Sequence, residues 1–130
     1  MRKVILEVKN LKMHFKTYRG VVKALNGVNL KLYEGEVLAL VGESGCGKSV
    51  TALSIMGLLP ENAYIDDGEI VFKGENLLEK SKEEMRRIRA REIAIVFQDP
   101  MTYLNPVLNI YTQLSEIFEL QDDLIREAAY

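Results

Sequence analysis

One short stretch limits what this chain can fold into more than any other: Gly42-Glu43-Ser44-Gly45-Cys46-Gly47-Lys48-Ser49, which follows the pattern G-x-x-x-x-G-K-[ST]. Directly before it runs Val37-Leu38-Ala39-Leu40-Val41, a continuous apolar segment after a Glu34-Gly35 turn. A strand that is apolar at every position suits a sheet covered on both faces, so this segment is expected to be a central parallel strand. Directly after it, from Lys48 to Leu59, the apolar residues Val50, Ala52, Leu53, Ile55, Met56 and Leu59 surround a helix instead of forming a stripe, and Gly57 and Pro60 supply its stop. That helix is expected to be buried.

Strand, glycine-rich loop and helix in this order give the context in which the pattern has a chemical meaning. Glycines let the backbone wrap closely around phosphates, with successive N–H groups and the positive end of the helix facing negative charge. Lys48 would reach the β- and γ-phosphates of a nucleotide, and the Ser49 hydroxyl would hold Mg²⁺. The candidate ligand-binding residues are Gly42, Ser44, Gly45, Cys46, Gly47, Lys48 and Ser49. Cys46 occupies a free position of the pattern and reads as a small filler.

The remainder of the composition excludes more than it assigns. The chain has 130 residues, 48% of them apolar and 28% charged, which is the balance of an ordinary folded domain or part of one. A net charge of -2 argues against a field that would draw the whole molecule to nucleic acid or to anionic lipid. Cys46 is the sole cysteine, so an internal disulfide is excluded, and a reducing, cytoplasmic setting is the natural expectation. No run approaches the ~20 apolar residues of a spanning helix, and Val4-Ile5-Leu6 is too short for a signal peptide. A membrane role would therefore come through a partner.

Elsewhere, Val4 to Val8 and Val21 to Leu32 are rich in β-branched residues and read as strands of an antiparallel layer, the second interrupted by a tight turn at Asn26-Gly27. Asp67-Gly68 is a further turn signal, and the alternation of Ile70 and Phe72 with Glu69, Val71 and Lys73 up to Gly74 predicts a short edge hairpin. Ser81-x-x-Glu84 forms a capping box before a charged helix with Met85 and Ile88 as its apolar seam. Its arginines, Arg86, Arg87, Arg89 and Arg91, are balanced by Glu83, Glu84 and Glu92 and read as a solvated face. Ile93 to Phe97 is expected to be a second buried strand. Beyond Pro106, the residues Val107, Ile110, Tyr111, Leu114, Ile117 and Phe118 fall on one face of an amphipathic helix, and a last helix starts near Asp122 and Asp123.

A nucleotide hydrolase of this type also needs an acidic residue at the end of a second buried strand to organise the metal. Asp99 is a poor fit, because Gln98 comes between it and the strand and alternation sends the two side chains to opposite faces. Gln98 stands directly at the strand end, where an amide can touch Mg²⁺ and orient a water. The competing reading is a strand-terminating polar residue bonded to backbone.

Taken together, these elements resemble the ATP-binding subunits of ABC transporters. Leu40 to Ser49 resembles the Walker A segment, Gly68 to Gly74 the edge hairpin, and Val96-Phe97-Gln98-Asp99-Pro100 the Q-loop. Met101-Thr102-Tyr103-Leu104-Asn105-Pro106 is similar to the oligopeptide, dipeptide and nickel import subfamily in particular. The resemblance implies an α/β fold, a P-loop NTPase core with an antiparallel β layer, residues 1–130 being the N-terminal part of one ATP-binding domain truncated within its helical subdomain. It implies ATP and Mg²⁺ as ligands, Gln98 as a Mg²⁺ and coupling residue, and Phe15 as the aromatic that stacks on adenine, with Tyr18 as an alternative ring. It also implies a second ATP-binding subunit in a head-to-tail dimer, transmembrane permease subunits, an indirect link to an extracytoplasmic substrate-binding protein, no nucleic acid, and a peripheral place on the cytoplasmic face of the membrane. The LSGGQ signature, the Walker B Asp with its catalytic Glu, and the switch histidine of the family have no counterpart here, and His14 is too near the N-terminus to be the last of these. Full-length function is thus expected to be ATP-driven import, with this stretch alone inactive. The alternatives are a nucleotide-binding module without turnover and a small phosphotransferase using the same loop.

Overall fold

The computed structural model describes residues 2–43, 47–98 and 104–116. The chain divides into two compact units, Met1–Ser81 and Lys82–Tyr130. The first is built on a four-stranded antiparallel sheet in the order β2-β1-β3-β4, from β1 (Val4–Thr17), β2 (Gly20–Tyr33), β3 (Ala63–Phe72) and β4 (Glu75–Asn76). It also holds the helix α1 (Lys48–Met56) and a short 3₁₀ turn, Leu77–Glu79.

Two tight turns set the sheet's connections. Thr17 pairs with Gly20, so Tyr18 and Arg19 form the tip of the first hairpin, and the Thr17 hydroxyl donates to the Gly20 carbonyl at 2.8 Å. Phe72 pairs with Glu75 across Lys73 and Gly74, which both have positive φ (49° and 83°), the backbone a two-residue hairpin loop demands. The strand expected to run up to Gly74 is therefore present, but its hairpin turns at Lys73-Gly74 and leads into β4, and not at Asp67-Gly68.

Asn26-Gly27 and Asp67-Gly68 correct the expectation of turns, because both lie inside continuous strands. Between the pairs Leu11↔Val28 and Lys12↔Asn26, Gly27 has no opposite number; between Lys9↔Glu69 and Lys12↔Asp67, Asn10 and Leu11 oppose Gly68 alone. These are β-bulges, and an extra residue shifts the alternation of a strand by one. On β1 the inward residues change from Val8 to Leu11 and Met13; on β2 from Leu25 to Val28, Leu30 and Leu32; on β3 from Ile65 to Ile70 and Phe72. All three strands change phase at the same level, so their apolar residues stay on one face. Asn10, itself at φ 46°, braces that level: its N–H donates to Asn29 Oδ1 at 2.8 Å, while Asn29 Nδ2 donates to the Gly27 carbonyl at 3.1 Å.

The core consists of Val8, Leu11, Met13 and Ile70, all fully buried, with Leu25, Met56, Phe72 and Leu77 around them. Burying such side chains contributes roughly 1.5–3 kcal/mol each before the cost in conformational entropy. The opposite face carries Glu7, Lys9, Lys31 and Glu69, joined by ion pairs of 3.6 to 4.0 Å that are open to solvent and contribute little. The same face covers His14, only 8% exposed, whose ring meets Tyr64 edge-on at 5.5 Å.

Residues 37–41 correct the expectation of a central strand: they adopt no regular structure, and Val37 and Val41 are 95% and 94% exposed. A parallel strand needs hydrogen-bonded neighbours and covering helices, and no described residue pairs with this segment. Helix α1 stops at Gly57 as expected, with Gly57 at φ 68° and Leu58 N–H bonded to the Leu53 carbonyl at 2.9 Å. Its burial differs from expectation. Thr51, Ser54 and Met56 are buried, while Val50, Ala52, Leu53 and Ile55 are only partly covered.

In the second unit, α2 (Lys82–Arg91) begins directly after Ser81, buries Met85, and pairs Arg86 with Glu83 at 3.5 Å. Residues 93–97 adopt no regular structure, correcting the expectation of a second buried strand; Ala94 and Val96 are exposed. A third helix, α3, covers residues 110–116, and its apolar Ile110, Tyr111 and Leu114 are exposed. Asp99, Met101 to Tyr103, Ile117, Phe118 and the helix expected from Asp122 lie outside the described residues.

Candidate phosphate-binding site

The site is built where Gly47 leads into α1. Gly47 stands at φ 94° and ψ 6°, a backbone that a side chain would strain, and it starts the helix with no side-chain cap and no acidic residue in the first turn. The first amides of a helix have no intrahelical acceptor, and the macrodipole adds about half a positive charge there. A cation at the first helical position opposes that dipole, yet this position holds Lys48. The Lys48 ammonium donates to the Gly42 carbonyl and so bridges the two ends of the loop. Positive amides and an ammonium gathered at one helix start suit an anion.

The turn is held from both sides. On the helix side, Thr51 N–H and Thr51 Oγ1 both donate to the Gly47 carbonyl, at 2.9 and 2.7 Å, and Ser54 Oγ donates to the Val50 carbonyl at 2.7 Å. On the sheet side, Leu25 of β2 packs so near that a Cβ on Gly47 would lie 2.8 Å from Leu25 Cδ2. Between them opens a cavity of about 170 Å³, lined by Leu25, Val28, Leu40 and Val41 on the apolar side and by Gly47, Lys48 and Thr51 on the loop side.

Of the residues expected at the site, Gly42, Gly47 and Lys48 are brought together by this loop, and Ser49 is exposed in the first turn of α1. Ser44, Gly45 and Cys46 lie outside the described residues. Phe15 is half-buried on the sheet face that carries Met13, and it does not line the cavity. Tyr18 is 94% exposed at the hairpin tip, with the Arg19 guanidinium 5.6 Å from its ring centre. Gln98 belongs to the second unit, where it is exposed at a bend after residues 93–97. Leu25 and Val28 were not singled out from sequence. The break in alternation between Leu25 and Val28 was the available signal, since a bulge at Gly27 is what puts both on one face.

No helix among the described residues is long and apolar enough to cross a membrane. The sequence profile of the family described as "ABC transporter" matches residues 25–129. Among curated proteins, the chain is 51% identical to the dipeptide transport ATP-binding protein DppD of Bacillus subtilis, over 96% of this chain and 38% of that protein. It is 48% identical to the oligopeptide transport ATP-binding protein OppD of the same organism, over 96% of this chain and 35% of that protein. It is 42% identical to the OppD protein of Escherichia coli, over 97% of this chain and 37% of that protein. The chain thus spans little more than a third of the length of these relatives. A phosphate-type loop entering α1, an antiparallel layer beneath it, and a family profile covering most of the residues lead to one conclusion: this chain belongs to the ABC transporter family, with its α/β P-loop NTPase fold class.

Proposed function

We propose that this chain is the N-terminal part of the ATP-binding domain of a subunit that drives import of peptides across a membrane by ATP hydrolysis. The observation that carries the reading is the start of α1, which has no side-chain cap or acidic residue but holds Lys48 and a Gly47 whose left-handed backbone suits glycine alone. The relatives named for dipeptide and oligopeptide transport support the substrate class. In the assembled transporter the partners would be a second ATP-binding subunit and transmembrane permease subunits, with an extracytoplasmic binding protein reached through them. The subunit would sit peripherally on the cytoplasmic face.

Binding of ATP would exchange one Lys48 contact for others: the ammonium leaves the Gly42 carbonyl and turns to the β- and γ-phosphates, while the N–H groups at the start of α1 take the phosphate oxygens. The residues fit a magnesium nucleotide, because the exposed Ser49 hydroxyl stands in the same helical turn as Lys48 and no carboxylate competes there. Ser49 would hold the Mg²⁺, whose chemistry is to neutralise charge on the phosphates, and the family resemblance gives Gln98 a Mg²⁺ and coupling role. Phe15 would stack on the base.

Two measurements test the reading. Titrating the chain with a fluorescent ATP analogue, with and without Mg²⁺, is expected to give saturable binding that excess ATP reverses; no binding by the folded chain overturns the nucleotide assignment. For the transport assignment, residues 1–130 are grafted in place of the matching region of the Bacillus subtilis DppD protein and dipeptide uptake is followed. Uptake by the chimera, lost on Lys48→Ala, is the expected result. A folded chimera that assembles but takes up no dipeptide counts against peptide import.

A further inference from the structure

We infer that Leu25, a residue of the antiparallel layer, is a positioning residue for phosphate binding: its side chain fixes the turn at Gly47 and hence the direction of the first amides of α1. The inference rests on the nucleotide-binding reading above.

The starting point is the strand. Leu25 is 3% exposed and pairs with Met13 of β1, which pairs in turn with Ile65 of β3. Met13 is fully buried, so Leu25 is held laterally by the sheet core. Alternation alone would send Leu25 to the face opposite Val28, Leu30 and Leu32. The bulge at Gly27 reverses the phase and brings Leu25 onto the cavity side with Val28. The strand is irregular at the level where its side chain meets the loop.

The second part is the contact. Leu25 Cδ2 occupies the space that a Cβ of Gly47 would need, and the Ala24 carbonyl lies 3.6 Å from the same point. Gly47 therefore meets two demands, a φ of 94° and a neighbour, the tip of the buried Leu25 side chain, that would have to shift to admit a methyl group. With the Gly47 carbonyl held by Thr51 from the helix side, the turn is clamped between a hydrogen-bonded pair and an apolar floor. Shortening Leu25 removes the floor and leaves a void that the loop can relax into. Gly47 has the widest backbone freedom of any residue, and it would be the first to move. The amides of Lys48 and Ser49 follow directly in the chain, so their aim depends on that turn.

A double-substitution cycle separates this role from ordinary core packing. The chain and its variants Leu25→Ala, Gly47→Ala and the combination are titrated with inorganic triphosphate and with a fluorescent ATP analogue, under conditions where circular dichroism confirms folding. Each single variant is expected to bind triphosphate at least tenfold more weakly. In the combined variant, the methyl group at Gly47→Ala finds room where Leu25 stood, so binding is expected to be at least fivefold tighter than the product of the two single effects. Effects that simply multiply overturn the proposal, because a purely structural Leu25 would not compensate a change at Gly47. If Leu25→Ala does not fold, Leu25→Val takes its place in the cycle, and Leu25→Met, which keeps the length, is expected to bind within twofold of the unmodified chain. A tenfold loss in a folded Leu25→Met would equally count against a role in contact. Failure of the unmodified chain to bind either probe would instead overturn the nucleotide reading, which keeps the two failures apart.

Discussion

Gly68 of β3 lies so close beneath the bulge of β1 that a Cβ there would stand 2.5 Å from the Asn10 carbonyl oxygen and 2.7 Å from Leu11 Cα. The obstructing atoms are backbone, which cannot swing aside as the tip of a side chain can. Gly68 is also at φ 105°, where side chains are strained. Gly68→Ala should therefore cost on the order of 3 kcal/mol, from overpacking and backbone strain together. Against a total stability of about 5–15 kcal/mol for a domain, that is a large share. Urea denaturation is expected to show a clear fall in midpoint; a midpoint within experimental error of the unmodified chain would mean that the bulge level is not rigid.

Asn76 offers a smaller effect at the other side of the sheet. Its Oδ1 accepts from Leu78 N–H at 3.1 Å, which starts the 3₁₀ turn, and from the Ile70 N–H at 3.3 Å. Ile70 is fully buried. Asn76→Ala removes the acceptor for both amides, and a loss of roughly 1–2 kcal/mol is expected from the cap and the unpaired donor. Asn76→Asp keeps the acceptor and should recover most of it in the same denaturation assay.

Much of this architecture was legible in the residues, and what was not has a physical cause. The stop of α1 at Gly57 and the strand that runs up to Gly74 rest on local backbone demands that the sequence carries within a few positions. Asn26-Gly27 and Asp67-Gly68 carry the same local chemistry as a turn, but the strands on either side continue and the glycines serve as bulges. The distinguishing mark was a break in alternation, from Leu25 to Val28 and from Val8 to Leu11, and not the turn dipeptide. Residues 37–41 and 93–97 fail for another reason. An all-apolar run states what a strand would look like if neighbours covered it, and no described residue pairs with either segment. The floor of the site at Leu25 was missed because Asn26-Gly27 reads as a turn, and a turn there hides the break in alternation that marks the bulge.

Two aromatic residues are candidates to stack on the base of a nucleotide, and their surroundings differ. Phe15 is half-buried on the cavity-side face of β1, in line with Met13, whereas Tyr18 is exposed at the hairpin tip beside Arg19. A ring already partly fixed by the sheet loses less freedom on stacking than one at a free tip. Phe15→Ala is thus expected to weaken ATP binding by about 5- to 150-fold, the range of one stacked base, and to leave inorganic triphosphate binding nearly unchanged. Tyr18→Ala should alter neither. The opposite pattern, with ATP affinity lost only in Tyr18→Ala, would transfer the role to the hairpin tip.

Lys48 gives the most direct test of the site. In the free chain its ammonium already has a partner, the Gly42 carbonyl, so binding must replace one hydrogen bond to a neutral oxygen by charge-assisted contacts with phosphate. The net gain is the difference between the two. Charge-assisted bonds contribute roughly 1.5–3 kcal/mol, against about 1 kcal/mol for a neutral pair. With more than one phosphate oxygen engaged, Lys48→Ala should cost on the order of 2–3 kcal/mol, or about 30- to 150-fold in affinity. The same substitution releases the Gly42 carbonyl, which is exposed and can bond to water, so stability should change by less than about 1 kcal/mol. Lys48→Arg keeps the charge but replaces a compact ammonium by a planar fork, and it should recover only part of the affinity. Titration with the fluorescent ATP analogue, alongside urea denaturation of each variant, checks both halves. A large loss of affinity with stability retained is the expected result, whereas unchanged affinity in folded Lys48→Ala would mean that the helix start does not bind phosphate through this side chain.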